Sequence, residues 1–420
     1  MEYSLSNSLV GGSGSLNLDK LSLDLQFATD KTLTARRGPT PVFTRASGDN
    51  LGVTYIAPLY INASYSLAGV PSLVTVVQTT SLNNGRFIWT EADTSLSYNG
   101  TAWVLSDLEI TVATSAPTTA YRPDLANWSG TGATVSASNI FGNVKAANNE
   151  PRFDYNPTTG VCKGLLIEES RTNLVFPSAA LTTQTCTVTA VAHTLSFYGT
   201  GTVVLSGAHG ATVTGTGGFP TRTTLTFTPT AGSLILTVTG SVTEAQLEAG
   251  AFATSYIPTT TATLQRTPDI CSITGSAFSG IYNAIEGTFL SSSSQPFITA
   301  GIAQVYAADD GSDSNRFNLR HPTSFAVAQA SGATRAQFDM TNPTANQLAK
   351  FAFAYKTNDY GFYFNGTQGT TTLNNSPPTV DRVFLGSKGH SSTEYLNGHI
   401  QSFRFFKKRL PNAKLQTLTT

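Results

Sequence analysis

The chain is short of charge. Asp, Glu, Lys and Arg make up 12% of its 420 residues, against roughly a quarter in an average soluble protein. The two signs balance at 25 each, so no net field draws in nucleic acid or an anionic membrane surface, and no nucleic-acid partner is expected. Cysteine is almost absent. Cys162, Cys186 and Cys271 are an odd number without C-x-x-C spacing, so neither a zinc site nor a disulfide framework is implied, and three small buried residues are expected. His193, His209, His321, His390 and His399 are scattered without H-x-H or H-E-x-x-H spacing, which argues against a metal-hydrolase centre. No apolar run approaches the roughly 18 residues that span a bilayer, and the first residues lack a basic segment followed by an apolar one. Neither membrane insertion nor a signal peptide is expected.

What the chain does have is β-forming composition. Hydrophobic residues make up 40%, with 36 Gly and 19 Pro as punctuation; the polar surface falls to Ser, Thr, Asn and Gln. Strand-like alternation recurs at 16–25, 70–77, 103–112, 187–191, 202–205, 223–227, 233–238, 351–353, 361–364 and 383–385. Helical periodicity is confined to a short amphipathic turn over 411–418, with Pro411 at the first helical position. Asn83-Asn84-Gly85, Asn99-Gly100, Asn365-Gly366 and Asn397-Gly398 each sit between apolar runs, and Asn-Gly favours tight hairpins because both residues tolerate positive φ. Thr259 to Thr263 reads as a linker. The expected fold class is all-β, with several β-sandwich or jelly-roll modules in series and one small inserted β-domain.

Catalytic chemistry is hard to find. Glycoside hydrolysis needs two facing carboxyl groups; Glu91 and Asp93 have no third acid after them. Glu168 and Glu169 are adjacent, so on a strand they point to opposite faces, and Arg171 is the expected ion-pair partner. Arg152 and Asp154 share a face if extended and read as a local salt bridge at the turn over 157–160. There is no G-x-S-x-G elbow, P-loop or dinucleotide fingerprint, and no catalytic residue is assigned. Two binding readings remain. Asp309, Asp310 and Asp313 around Gly311 offer oxygen ligands for calcium, the one candidate cofactor, or else form a solvated hairpin tip. Trp128, Tyr360 and Tyr363 are candidates to stack on a sugar, or else core residues.

Four stretches carry a family resemblance. They are Phe43-Thr44-Arg45-Ala46-Ser47; 149–174, with N-E-P-R-F-D-Y-N-P and G-L-L-I-E-E-S-R-T-N-L; 245–258, with A-Q-L-E-A-G and F-A-T-S-Y-I-P; and the carboxyl end, with F-A-F-A-Y, G-F-Y-F-N-G-T and L-N-G-H-I-Q-S-F-R-F-F. The first three resemble segments of bacteriophage head and tail appendage proteins that flank a carbohydrate-binding-module-like jelly roll. The last resembles the closing strands of a laminin-G or concanavalin-like jelly roll. F-T-R-A-S lies about 100 residues further upstream of N-E-P-R-F-D than in that pattern, which an insertion explains. The resemblance implies an attachment region, 1–48 plus 130–175; an inserted β-domain, 49–129; a carbohydrate-binding-module-like jelly roll, 176–267; and a concanavalin-like jelly roll, 268–420. It further implies a non-enzymatic virion appendage, namely a tail fibre, minor tail or head-decoration protein made in the host cytoplasm. Its partners would be other virion proteins, a host surface glycan and further copies of itself in a homo-oligomer, trimeric by analogy. A glycan-degrading depolymerase on a lectin-like fold is the alternative.

Overall fold

The computed structural model describes residues 20–46, 149–156, 161–297, 303–321, 325–339, 343–370, 375–389 and 394–420, together with nine strands between 53 and 144. It is all-β. Two large antiparallel sheets share one apolar core. The first has the order Arg152–Tyr155, Cys162–Ile167, Gly398–Phe406, Glu286–Ser294, Ala349–Lys356, Gly361–Phe364, Thr367–Gln368, and Leu21–Leu25 also pairs with Gly398–Phe406. The second runs Val42–Thr44, Ile270–Thr274, Arg382–Leu385, Ala303–Asp309, Arg316–His321, Phe325–Ala330, Ala333–Phe338.

Alternation explains the layers. In Ala349–Lys356, Phe351, Phe353 and Tyr355 enter the shared core while Ala352 and Ala354 face outward, as a two-residue period requires. Phe289, Tyr306, Phe317 and Phe405 fill the space between the sheets in tilted ring contacts. On the outer face of the first sheet, the helix Asn412–Thr419 seats Leu415 against Leu290, Ala352, Tyr363 and Phe406. Pro411 stands one position earlier than expected, at the N-cap with φ −58° and ψ 149°.

The strands expected to form a separate attachment region instead complete these sheets. Leu23, Leu25, Phe43, Phe153 and Leu165 belong to the same core as Phe289 and Phe403. Short apolar strands cannot bury a face alone, and pairing with the sandwich gives them one.

Residues 171–266 form a second module between Cys162–Ile167 and Ile270–Thr274. A four-stranded sheet, Gln184–Val188, Gly232–Thr239, Thr202–Gly207, Ala211–Thr214, packs with a three-stranded one, Thr223–Phe227, His193–Tyr198, Thr243–Ala249, around their own core of Leu195, Phe197, Val203, Leu234, Leu236 and Leu247. Its first and last strands, Arg171–Asn173 and Leu264–Arg266, pair antiparallel. Thr259, expected in a linker, is buried: its hydroxyl donates to the Val175 carbonyl at 2.5 Å and its N–H to Ser178 Oγ at 2.7 Å. Cys162, Cys186 and Cys271 are free and buried, and burial pushes the Cys162 and Cys186 thiols up to about 11.

In the 49–129 segment, Ser95–Tyr98 pairs with Trp103–Ser106, whereas Arg86–Trp89 pairs with Ile110–Ala113. Ile61–Leu67 pairs with both Val70–Val76 and Ala133–Asn139, and Val53–Tyr55 pairs with Gly142–Val144.

Candidate functional site

The motif segments, scattered over more than 200 residues, converge where the two modules meet. Arg45 follows Val42–Thr44, Arg152 opens its strand, Glu168 follows Cys162–Ile167, and Asp269 precedes Ile270–Thr274. These four come from the sandwich. The jelly roll supplies Arg171, Glu248, Ser255 and Arg266.

Arg152 sits at the centre with its guanidinium closed to solvent. It reaches Glu168 at 2.8 Å, Ser255 Oγ at 2.6 Å, and Asp269 through its other terminal nitrogen. Arg45 holds Asp269 at 3.1 Å, and Arg266 holds Glu168 at 2.9 Å. The Ser255 backbone N–H and hydroxyl both donate to Glu168, at 2.8 and 2.5 Å. The strand ends are tied as well: the Glu168 N–H donates to Asp269 and the Asp269 N–H to the Glu168 carbonyl.

A second ring of contacts extends into the jelly roll. Arg171 pairs with Glu169, lies 3.8 Å from Glu248, and stacks over the Phe252 ring at 4.7 Å. Glu248 accepts from Gln246 Nε2 at 2.6 Å and from the Thr254 N–H and hydroxyl at 2.8 and 2.7 Å. Asn173 donates to the carbonyls of Ala245 and Ile257 and accepts from the N–H groups of Leu247 and Val175. Four arginines, at 45, 152, 171 and 266, thus meet four carboxylates, at 168, 169, 248 and 269.

Electrostatics follow from that balance. Burial pushes the Glu168 carboxyl up, but Arg266, Arg152 and the Ser255 hydrogen bonds outweigh it and hold the group far below the usual carboxylate range. Burial, helped by like-charged Arg152 and opposed by Asp269, brings Arg45 down to about 10. An acid held ionised by arginines is a structural anion, not a proton donor.

Of the expected local pairs, Arg171 finds a carboxylate in Glu169, whereas Arg152 and Asp154 do not pair. Arg152 reaches Glu168 and Asp269, while Asp154 on the same strand pairs with His399 at 2.7 Å and Lys163 at 2.9 Å. Arg171 takes Glu169, and Glu168 goes to the opposite side with Arg152 and Arg266.

The outer face of the second sheet holds another polar group of residues. Phe317 and Leu319 enter the core, so Asn318 between them faces outward. It lies opposite Ala307 on one side and Val327 on the other, all three buried. A bulge puts Val305 and Tyr306 both into the core, leaving Gln304 and Ala307 as successive outward residues. Gln304 Nε2 donates to Glu394 at 2.6 Å, whereas Gln304 Oε1 and both polar atoms of the Asn318 amide have no hydrogen-bond partner. A buried polar atom left unanswered costs about 1–3 kcal/mol. Lys388, itself buried, reaches Asp313 at 2.5 Å and Glu394 at 3.6 Å beside this floor.

The residues singled out for binding fall as follows. Asp309 contributes its Oδ1 to the Gly311 N–H, Asp310 accepts from Ser312 and Asn315, and Asp313 pairs with Arg316 and Lys388. Each carboxylate has a different set of partners; among the described residues no three His, Cys, Asp or Glu side chains are grouped to hold a metal. Tyr360 and Tyr363 are 7% and 4% exposed. Tyr360 meets Phe353, and Tyr363 packs with the Leu415 cluster, its hydroxyl donating to Gln368. Neither ring offers a free face for a sugar. Trp128 lies outside the described residues.

No family model and no curated protein matches the chain. Among solved structures it is similar to the carbohydrate-binding module of the Ruminococcus gnavus IT-sialidase bound to alpha2,3 sialyllactose, at 15% identity over 34% of this chain and 88% of that one, TM-score 0.30. It is also similar to the binding domain of botulinum neurotoxin DC in complex with rat synaptotagmin II, at 9% identity over 36% and 40%, TM-score 0.30. A third is the heptameric SAP-like pentraxin of Limulus polyphemus, at 11% identity over 33% and 70%, TM-score 0.27.

Proposed function

We propose that the chain is a non-enzymatic appendage protein of a bacteriophage virion, a tail fibre, minor tail or head-decoration protein, that holds its β-modules in fixed relation and presents them to a host surface glycan. The observation that carries this reading is the ionic joint. The charged residues of the motif segments meet in one buried network between sandwich and jelly roll. Such a network adds little net stability over apolar packing, yet it specifies one arrangement because any other strands a charge. A particle component has more use for a defined geometry than for a reactive group.

The competing reading, a glycan-degrading depolymerase, calls for two carboxyl groups across a groove with one kept protonated. Glu168 and Asp269 sit under arginines, and Glu168 is held ionised, which weighs against that use. Mass spectrometry of purified particles of the source phage is the test: the polypeptide is expected among the virion proteins, and its absence would end the appendage reading. Release of reducing ends from host polysaccharide by the purified chain would favour the depolymerase instead. A homo-oligomer, trimeric by analogy, belongs to the same reading, because exposed sheet edges gain cover in a symmetric assembly. Sedimentation velocity at micromolar concentration is expected to give the trimer mass, and a stable monomer would contradict it.

A further inference from the structure

We infer that the cationic pocket at one end of the first sheet, lined by Lys20, Arg37, Lys407 and Lys408, binds the phosphate group of a phosphorylated saccharide. This deepens the glycan-binding half of the reading above and rests on it; the place of the chain in a particle is a separate matter.

The sheet gathers these charges. Leu21–Leu25 pairs antiparallel with Gly398–Phe406, which pairs antiparallel with Glu286–Ser294; the first and third strands therefore begin where the middle one ends. Lys20 precedes the first, Lys407 and Lys408 follow the middle one, and Glu286 opens the third. The Lys407 N–H donates to the Lys20 carbonyl at 2.8 Å and sets the two residues side by side. Arg37 arrives from the sheet edge, where its backbone bridges to Asp24. With Leu21 and Ser22 these residues line a pocket of about 460 Å³. It is open to water: Lys20, Arg37 and Lys408 are exposed and Lys407 is half-buried.

The charge in the pocket is oriented but not neutralised. The chain has as many acids as bases and few of either, yet four cations here face one carboxylate. Arg37 Nη1 donates to the Leu21 carbonyl and Lys407 Nζ to the Gly280 carbonyl, each at 2.7 Å. A carbonyl fixes the position of a cation and leaves its charge in place. Glu286 accepts from Lys408 Nζ at 2.9 Å and from the Arg409 N–H at 3.2 Å. Asp24, beside Arg37 on the sheet, is held by Arg404 and Gln26. Asp19 lies outside the described residues; counted in, it still leaves a surplus of two positive charges. Lys407 suits the negative pole at the end of the helix Gly275–Ile281, but that accounts for one cation of the four. Like charges held together cost free energy that an anion returns.

The chemistry selects the ligand. An ammonium held on one acceptor keeps two more N–H donors, so the pocket is rich in charged donors. Ser22 spends its one proton on the Ile281 and Phe405 carbonyls. A phosphate monoester carries about −1.5 to −2 at neutral pH on three strong acceptor oxygens. It answers the surplus, where a carboxylate brings a single charge and a neutral sugar none. No aromatic side chain lines the pocket to stack a nucleobase. Leu21, its one apolar member, is buried and cannot anchor in a lipid surface. A sugar ring carried on the phosphate needs neither, since its hydroxyls accept from the same lysines.

The test uses the full chain at about 50 mM salt, where surface charge is weakly screened. Glucose 6-phosphate, glucose, glucuronate, inorganic phosphate, oligo-dT and phosphatidylglycerol vesicles are each titrated by calorimetry. Glucose 6-phosphate is expected to bind, and more tightly than any of the others. Raising the salt to about 200 mM should weaken it severalfold. Lys20→Gln and Lys408→Gln should each weaken it by roughly threefold to tenfold, while the thermal midpoint stays level or rises because like charges have been thinned out. Lysines with a merely structural role would lower the midpoint and leave the affinity unchanged. If either variant fails to fold, the unaltered chain decides: saturating glucose 6-phosphate should slow acetylation of Lys20, Lys407 and Lys408, read by mass spectrometry against Lys163. The inference is overturned if glucose 6-phosphate does not bind, if its affinity ignores salt or both substitutions, or if the three lysines are not protected. It is equally overturned if inorganic phosphate, glucuronate, the oligonucleotide or the vesicles bind as well or better. A chain that binds a neutral host glycan but no phosphorylated sugar loses this site and keeps the glycan reading, and absence from particles removes only the appendage reading.

Discussion

Glu168 is buried between two arginines, with Arg152 at 2.8 Å and Arg266 at 2.9 Å. Its opposition to Glu169 follows from strand alternation alone. Its partners did not follow. Sequence neighbours suggested Arg171, whereas sheet pairing brings Arg152 and Arg266 from 16 positions before it and 98 after it. The consequence can be measured. Glu168→Gln leaves buried Arg266 without its ion-pair partner and Arg152 with Asp269 alone, and removing one partner of a buried pair typically costs about 3–5 kcal/mol. Urea unfolding at neutral pH should show a loss of that order. The pH dependence has a definite sign. The carboxyl is depressed in the folded protein relative to the unfolded chain, so its contribution is complete above the unfolded value of about 4.3. It is lost as the pH falls below that value toward the folded one. Stability should therefore drop on acidification from about pH 5 downward, and the Glu168→Gln variant should show a shallower slope over the same range. Equal slopes would mean that Glu168 is not held as described.

Among the elements, the strands were the most readable part of the chain. Alternation marked 202–205, 223–227, 233–238 and 361–364, and strands stand at each of these places. Asn365 and Gly366 take φ of 45° and 77° in the hairpin between Gly361–Phe364 and Thr367–Gln368, as an Asn-Gly turn should. Sheet membership was not readable, because a two-residue period tells which face of a strand is apolar and not which strand lies beside it. Gly164 is a case where the neighbour matters. It sits inside Cys162–Ile167 with φ +110°, and a Cβ there would run into the backbone of Ile400 and Gln401 on the adjacent strand. The motif G-L-L-I-E-E thus contains a glycine for close approach of two backbones. Gly164→Ala combines a left-handed conformation with a backbone clash, so a loss of roughly 2 kcal/mol or more is expected. Gly280→Ala is the control: that residue lies in the helix Gly275–Ile281, no atom beyond its chain neighbours and the helix's own backbone stands within 4 Å of the added methyl, and φ is not positive. It should be neutral or stabilising by a few tenths of a kcal/mol up to about 1. Thermal melts of the two variants side by side separate the clash from any general effect of alanine.

At the scale of the whole molecule, chain order and architecture part company. Composition and turn spacing pointed to β-modules in series, and the all-β class holds; but the sandwich is assembled from 21–25, 42–44, 152–167 and 270–406, with the jelly roll set between two of its pieces. Long-range pairing of this kind leaves no local trace, since each contributing strand looks like any other. The 171–266 module, by contrast, is closed. Arg171–Asn173 and Leu264–Arg266 pair, so its ends are adjacent, and among the described residues its core draws on none outside 174–247. Adjacent ends and a private core are the conditions under which an inserted module folds by itself. A chain of residues 171–266 should therefore give dispersed amide resonances and a cooperative melt. Its stability should be reduced by the loss of the sandwich side of the joint, where Arg266 would no longer meet Glu168. Residues 268–420 alone should fail the same test. They lack Leu23, Leu25, Phe43, Phe153, Leu165 and Ile167, which fill the shared core, and Gly398–Phe406 would lose its pairing with both Leu21–Leu25 and Cys162–Ile167. Burying a side chain of this kind stabilises by roughly 1.5–3 kcal/mol, so the loss of six, about 9–18 kcal/mol, is as large as the 5–15 kcal/mol that a domain has in reserve. A well-folded 268–420 fragment would show that the amino-terminal strands decorate the sandwich instead of completing it.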